Sequence, residues 1–568
     1  MKYIYKFLLL FSIIMVAIVL RFWQLGAVPV SPDWDEVSIG YNANSILKTG
    51  RDEYGTFLPM SIRSFGDYKP PLYTYLTVPS VALFGLSVWS TRLPSAVMGV
   101  LAVIGVYFMV RELLKDTEQK TINNKQENGI LFIAYCPMLS AALLAISPWH
   151  IQFSRIAFEA NIGVTINIWA VTVFLIGLRK HIFLPISAFL FALGMYAYHS
   201  ERIFLPLLVI WLVFVYRKRI FTANNRLYLI GACIAGFVAL LPLIPVLLDK
   251  TSIQRLSGTS VMSQQTRLLA RTVNKLEEDR RVGDIVGSIL DNRRFVWVTS
   301  VISGYLSHFS LKWLFLTGDY YRHHAPDMGL LYLWELPFLL YGMFIVWKNF
   351  PGPVGYVLFG WLLLSPVAAA PTTDLPHAVR TLVFLPVYQV FTAVGIASYI
   401  GSVANSSGRE KIAGLLAGIS ILGAAVFNFA YYMGMYFTHQ NAEFSRYWQY
   451  GYKEVVDFAE KNKSKYEKIV VSSSLDQAYI FFLFYTGYDP ARYLASGGTK
   501  PLSDSEVKNT FDTYVFKNLD WSKDVCDGKI LYIVSPMEIS RGNVLEVRYL
   551  NGEPAIELAD KACKSIKI

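Results

Sequence analysis

Residues 71–89 read PLYTYLTVPSVALFGLSVW, a run apolar enough to cross a bilayer, and whether it crosses decides the reading of everything after it. A spanning helix needs about 20 largely apolar residues. By that measure further candidate runs lie near 7–25, 93–110, 130–147, 161–178, 182–198, 203–216, 227–247, 329–347, 354–369, 381–400 and 412–433. If 71–89 lies flat, the basic clusters Arg111/Lys115/Lys120/Lys125, Arg179/Lys180, Arg217/Lys218/Arg219/Arg226, Lys348 and Arg409/Lys411 all share the side of Lys2 and Lys6. If it crosses, all of them change sides. Short loops rich in Lys and Arg stay in the cytoplasm, so 71–89 is read as an interfacial or re-entrant helix. The expectation is a polytopic α-helical membrane protein of about eleven spans in the plasma membrane. Its N-terminus is cytoplasmic and its C-terminus lies outside.

Composition agrees. Hydrophobic residues make up 54 % and charged residues 16 % of the 568, against about 25 % charged in soluble chains. The net charge of +11 comes from short clusters between apolar runs, which reads as topology rather than a nucleic-acid surface. The start, MKYIYKFLLLFSIIMVAIVL, has a basic flank without a nearby small-residue cleavage site, and is read as an uncleaved first span. Cys136 and Cys233 fall in apolar runs as packing residues, while Cys526 and Cys563 lie in the polar C-terminal part, where they could pair.

This topology puts 26–92, 148–160, 199–202, 248–328, 370–380 and 434–568 outside. Seven histidines go with them: His150, His199, His308, His323, His324, His377 and His439, leaving His181 inside. Two domains are expected. Residues 1–439 form the membrane domain, with a first outer loop at 26–92 and a long one at 248–328. Residues 440–568 form a small α/β domain outside the membrane, with KIVVSSS and KILYIVS as buried strands and EVVDFAEKN as an amphipathic helix.

The chemistry-bearing residues sit on the outer face. The first loop carries Ser31-Pro32-Asp33-Trp34-Asp35-Glu36. Asp33 or Asp35 can cap a helix beginning near Val37; Asp35 can equally serve as a general base with Glu36 beside it. Lys69 precedes Pro70-Pro71, and Arg92 precedes the second span. Both can be snorkelling anchors, or cations that grip a phosphate. Three more outer turns present Arg with His or Glu: Arg155 and Glu159; His199, Glu201 and Arg202; His377 and Arg380. Asp319, His323, His324 and Asp327 could hold a divalent cation. Their spacing matches no metal template, so no metal ligands are assigned and no cofactor is required.

Asp35-Glu36 after the first span, Lys69-Pro70-Pro71-Leu72, Arg92-Leu93-Pro94-Ser95 and the Ser147-Pro-Trp-His…Ser154-Arg155 turn together resemble the protein O-mannosyltransferase family and the aminoarabinose transferases of lipid A modification. These are GT-C glycosyltransferases, many of them in family 39. The resemblance covers about 25–200 and extends through the span pattern to about 430. It implies a GT-C fold and inverting transfer from a polyprenyl-phosphate sugar to a protein, lipid or glycan acceptor, with Asp35 as base. It also implies Lys69 and Arg92 at the donor phosphate, where Arg380 is a further candidate; Arg155, Glu159, His199, Glu201, Arg202 and His377 are then candidate substrate contacts. Where some relatives have Asp after the Ser-Arg turn, this chain has Glu159. The rival class is a transporter or flippase of lipid-linked sugars, which would place ionisable residues at mid-span and on both faces.

Overall fold

The computed structural model describes residues 2–123, 127–249, 266–500, 510–520, 527–536, 538 and 543–561; Cys526 and Cys563 lie outside the described residues. Each expected apolar run holds a helix: Lys2–Phe22, Val88–Asn123, Glu127–Ile146, Ala160–Gly177, Phe183–Gly194, Glu201–Ile220, Arg226–Leu240, Glu335–Asn349, Pro353–Leu364, Leu385–Asn405 and Gly408–Gly434. By length and composition, 6 helical stretches among the described residues can cross a membrane: Ile4–Phe22, Val88–Lys115, Ala160–Gly177, Ala223–Leu240, Leu382–Asn405 and Gly408–Phe444. Others, such as Phe183–Gly194 with 12 residues, reach only about 18 Å at 1.5 Å per residue. The 71–89 run becomes a 13-residue helix, Leu72–Phe84, that stops at Gly85 and is followed by the helix starting at Val88.

The chain divides into two compact units. One comprises Met1–Leu20, Met98–Gln152 and Ala160–Tyr432; the other comprises Arg21–Val97, Phe153–Glu159 and Met433–Ile568. Residues of the first loop therefore belong to the same unit as the C-terminal part.

In the helical unit, large apolar side chains point outward. Leu227, Ile230, Ile234 and Phe237 are exposed on one helix, and Leu415, Ile419, Leu422, Val426 and Phe427 on another. A helix that presents such a face is solvated by hydrocarbon. Cys233, expected inside the packing, is on this exposed surface. Where helices meet, small residues let backbones approach. A Cβ on Gly342 would run into the carbonyl of Phe391, and one on Gly395 into the carbonyl of Phe338, so Glu335–Asn349 and Leu385–Asn405 cross backbone to backbone.

The second unit is α/β. Its sheet uses β3 (Lys468–Ser472), β4 (Thr510–Phe511), β5 (Tyr514–Lys517), β6 (Asp527–Val534), β7 (Asn543–Arg548) and β8 (Pro554–Lys561), while β1 (Ile62–Ser64) and β2 (Asp67–Lys69) form a separate hairpin. The larger sheet runs β4-β5-β3-β6-β8-β7, with β3 parallel to both β5 and β6. Being central, β3 and β6 read as near-continuous apolar runs, which is why the sequence exposed them. One face is covered by the helices Tyr452–Asn462 and Ala478–Thr486 and by the first-loop helix Trp34–Thr49. Val37 and Tyr41 of that helix are buried in one core with Val455, Phe481, Phe482, Ile469 and Ile533.

Candidate active site

The Trp34–Thr49 helix begins in a capping box. The Glu36 N–H donates to Asp33 Oδ1 (2.9 Å) and the Asp33 N–H to Glu36 Oε2 (3.3 Å). Asp33 is thus the cap, and Asp35 is released from that role. On the β1–β2 hairpin, Phe65 and Gly66 both have positive φ, 53° and 75°, as a two-residue type I′ turn requires. The register pairs Ser64 with Asp67 and Ile62 with Lys69, leaving Lys69 at the strand end. There Lys69 Nζ donates to Asp35 Oδ1 at 2.5 Å, and 34 % of the Asp35 side chain remains exposed against 11 % for Lys69. The Lys69 ammonium also lies 5.7 Å from the centre of the Phe65 ring, within cation–π range. Burial alone would lower the Lys69 pKa; the charges of Asp35, Glu159 and Asp33 outweigh it and hold the ammonium above its usual range.

Glu36 faces the other way and is fully buried. Its Oε1 accepts from Arg92 Nε (2.8 Å) and from the Ala157 N–H (2.8 Å), and its Oε2 from Arg92 Nη2 (2.9 Å). The remaining Arg92 donors go to the carbonyls of Leu25 (3.1 Å), Pro29 (2.8 Å) and Ser31 (2.9 Å). A guanidinium has five N–H groups, and these five bonds use them all. The expectation of Arg92 as a phosphate ligand is therefore corrected: it is a buried clamp on the first loop, locked by Glu36. Glu36 is likewise sealed from any substrate, so its candidate catalytic role gives way to a positioning one. Arg155 is also fully buried, donating to Tyr436 Oη (3.2 Å) and to the Val28 carbonyl (3.1 Å), with the Phe437 ring 4.8 Å away. It positions backbone rather than substrate. Glu159 stays partly exposed and contributes to the field at Lys69. Of the expected site residues in this unit, Asp35 and Glu159 keep exposed surface, and Lys69 is bonded to the first of them.

The other expected residues belong to the helical unit. Glu201 is buried and accepts from Asn167 Nδ2 (2.8 Å), while Arg202 Nη1 lies 3.3 Å from His199 Nδ1. Arg380 Nη1 donates to Thr372 Oγ1 (2.7 Å) and to the Thr373 carbonyl (2.6 Å). His377 joins a group built mostly from residues 308–323. Asp319 Oδ2 accepts from His323 Nδ1 (3.0 Å) and from the Ala378 N–H (2.7 Å), and His308 Nε2 accepts from the His377 N–H (3.2 Å). Burial pushes the His308 ring down to about 4 and the His377 ring down as well. For Asp319 burial works upward, but the neighbouring His323 and His377 rings and the Ala378 N–H hold the carboxyl well below its usual range. His324, whose Nδ1 donates to the Ala325 carbonyl (2.8 Å), is not part of this group. The sequence missed Ala157, a backbone donor without a side-chain signal, and Tyr436, remote in the chain from Arg155.

A membrane-helical unit joined to a small mixed-sheet unit is the architecture of the GT-C membrane glycosyltransferases, and that is the fold of this chain. The likeness is of the O-mannosyltransferase and ArnT type. The family described as dolichyl-phosphate-mannose-protein mannosyltransferase matches residues 68–120. The structure of ArnT from Cupriavidus metallidurans bound to undecaprenyl phosphate superposes with a TM-score of 0.51 at 14 % identity, covering 96 % of this chain and 97 % of that one. Archaeal oligosaccharyltransferase AglB from Archaeoglobus fulgidus, in complex with an inhibitory peptide and a dolichol-phosphate, gives 0.49 at 14 % identity, covering 85 % of this chain. The present chain spans 64 % of that archaeal protein. No curated protein matches it by sequence.

Proposed function

We propose that this protein is an inverting glycosyltransferase that moves a sugar from a polyprenyl-phosphate carrier to an acceptor on the outer face of the membrane. The observation that carries the reading is the Asp35–Lys69 pair, the partly open ion pair in a first loop whose neighbouring charges, Glu36 and Arg92, are consumed by each other. The GT-C fold supports the donor class. A lipid-linked phosphate draws Lys69 toward its own oxygens, since a charge-assisted bond to phosphate competes directly with one to a carboxylate. Asp35, left without its cation, becomes a better proton acceptor. It takes the proton of the acceptor hydroxyl as that oxygen bonds to the anomeric carbon, while the bond from that carbon to the phosphate oxygen breaks through an oxocarbenium-like transition state. The electron pair leaves on the phosphate, where Lys69 offsets the developing charge. Donor binding thereby switches on the base.

The test is transfer from defined polyprenyl-phosphate sugars by purified protein, wild type against Asp35→Asn. A general base contributes about 10²–10⁴-fold, so turnover should fall by that factor with donor binding retained. Near-normal turnover of Asp35→Asn would refute the assignment.

A further inference from the structure

The group at Asp319, His323 and His377 takes no part in the transfer chemistry above, yet its geometry is that of a ligand set. One donor atom from each of the three lies within 4.8 Å of the others, although the residues come from two different loops. Two polar atoms of these residues, Asp319 Oδ1 and His377 Nδ1, are buried without a hydrogen-bond partner. A polar atom left buried and unpaired is costly, so two within one cluster call for a shared partner.

The surroundings are arranged as a supporting layer. Both nitrogens of His308 are engaged: Nδ1 donates to the Gly304 carbonyl (2.7 Å) and Nε2 accepts from the His377 N–H (3.2 Å). His308 thus fixes the backbone of His377 and is itself unavailable as a ligand. The Ala378 N–H, donating to Asp319 Oδ2, orients the carboxylate in the same way, as outer partners do around metal ligands. The three residues also line a cavity of about 990 Å³, together with Lys312 and Arg322.

We propose that Asp319, His323 and His377 bind a first-row divalent cation of the zinc type, tying the long outer loop to the loop before Leu382. Two imidazoles and a carboxylate are a borderline N/O donor set that suits zinc. Three protein ligands leave a fourth position toward the cavity for water or an anionic oxygen. Ligands at 2.0–2.1 Å around a tetrahedral ion stand about 3.4 Å apart, so donor atoms now within 4.8 Å of one another close by at most about 1.4 Å on binding. The site does not depend on the glycosyltransferase reading, because it is tested by metal content alone.

The experiment uses full-length protein in detergent, purified through a tag without histidine and dialysed against Zn²⁺, with bound metal measured by mass spectrometry and Co²⁺ used as a visible-absorbing probe. About one ion per chain is expected. Asp319→Asn, His323→Ala and His377→Ala should each weaken binding at least tenfold, and His308→Ala should weaken it about 10–100-fold through the supporting layer. His324→Ala should change nothing. His377→Cys, which keeps a zinc ligand, should retain the ion and guards against misfolding as the cause. Absence of stoichiometric Zn²⁺ from the wild type, or equal metal in the wild type and a folded His323→Ala/His377→Ala double variant, would overturn the proposal.

Discussion

Replacing Arg92 by Gln separates two roles that the sequence leaves entangled. The side chain makes two bonds to Glu36 and three to loop carbonyls, all in a fully buried setting. Removing one partner of a buried ion pair costs about 3–5 kcal/mol, because the other charge stays behind uncompensated. Each carbonyl that loses its donor adds up to about 1–3 kcal/mol, reduced where the Gln amide or water substitutes. A loss of about 4 kcal/mol is therefore the conservative figure. It is a large part of the stability of an ordinary domain. The assay is thermal unfolding in detergent, followed by thiol-reactive dye and by size-exclusion profile, alongside donor-lipid affinity. A clamp predicts a drop in melting temperature of several degrees and loss of monodispersity. Glu36→Gln should also be strongly destabilising, since it leaves the buried guanidinium without its counter-charge. Arg92→Gln that melts like the wild type while losing only donor affinity would refute the clamp and restore Arg92 to the phosphate.

Asp33→Asn should leave turnover within a few fold, since Asn caps a helix about as well as Asp; a loss equal to that of Asp35→Asn would mean both carboxylates do chemistry. Lys69→Ala removes a charge-assisted contact worth about 1.5–3 kcal/mol, so kcat/KM for the donor should fall about 10–100-fold, read from initial rates at varied donor. The Lys69 pKa is raised, so its charge and the pairing it supports are complete below the free-lysine value of about 10.4 and fade only as pH climbs through the higher folded value. Donor affinity should be flat in its Lys69 contribution from about pH 6 to 9, and a midpoint inside that window would implicate another group. Gly342→Ala should cost about 1–3 kcal/mol by overpacking, visible as a lower melting temperature with donor affinity unchanged at temperatures where the protein stays folded.

The helices were legible because lipid demands continuous apolar stretches, and the first-loop residues because charges beside such stretches are rare. The fate of Asp35 and Glu36 was not. Neighbours on a helix point about 100° apart, so one turned toward the hairpin lysine and the other into the interior, and only the positions of Lys69 and Arg92 decided which. Adjacent letters looked like one acidic pair and became two sites. The His-His pair divided in the same way. His323 kept Asp319 as its partner, His324 turned to the Ala325 carbonyl, and His377 arrived from another loop by a pairing that local spacing does not encode. The short strands β7 and β8 were missed because their alternation is brief and interrupted by bulges.

The Trp34 N–H donates to Gln449 Oε1 (2.8 Å), Tyr41 Oη to the Tyr488 carbonyl (3.2 Å), and Thr499 Oγ1 to Glu53 Oε2 (2.7 Å). Ribosomes emit the first loop long before its partners, so the segment bearing Asp35 waits through the synthesis and insertion of nearly every span before its core can close. Contacts of such sequence separation form late. The Asp35–Lys69 pair is thus assembled only once the last portion of the chain has been made, and a stalled or clipped nascent chain carries both residues without the means to hold them in place.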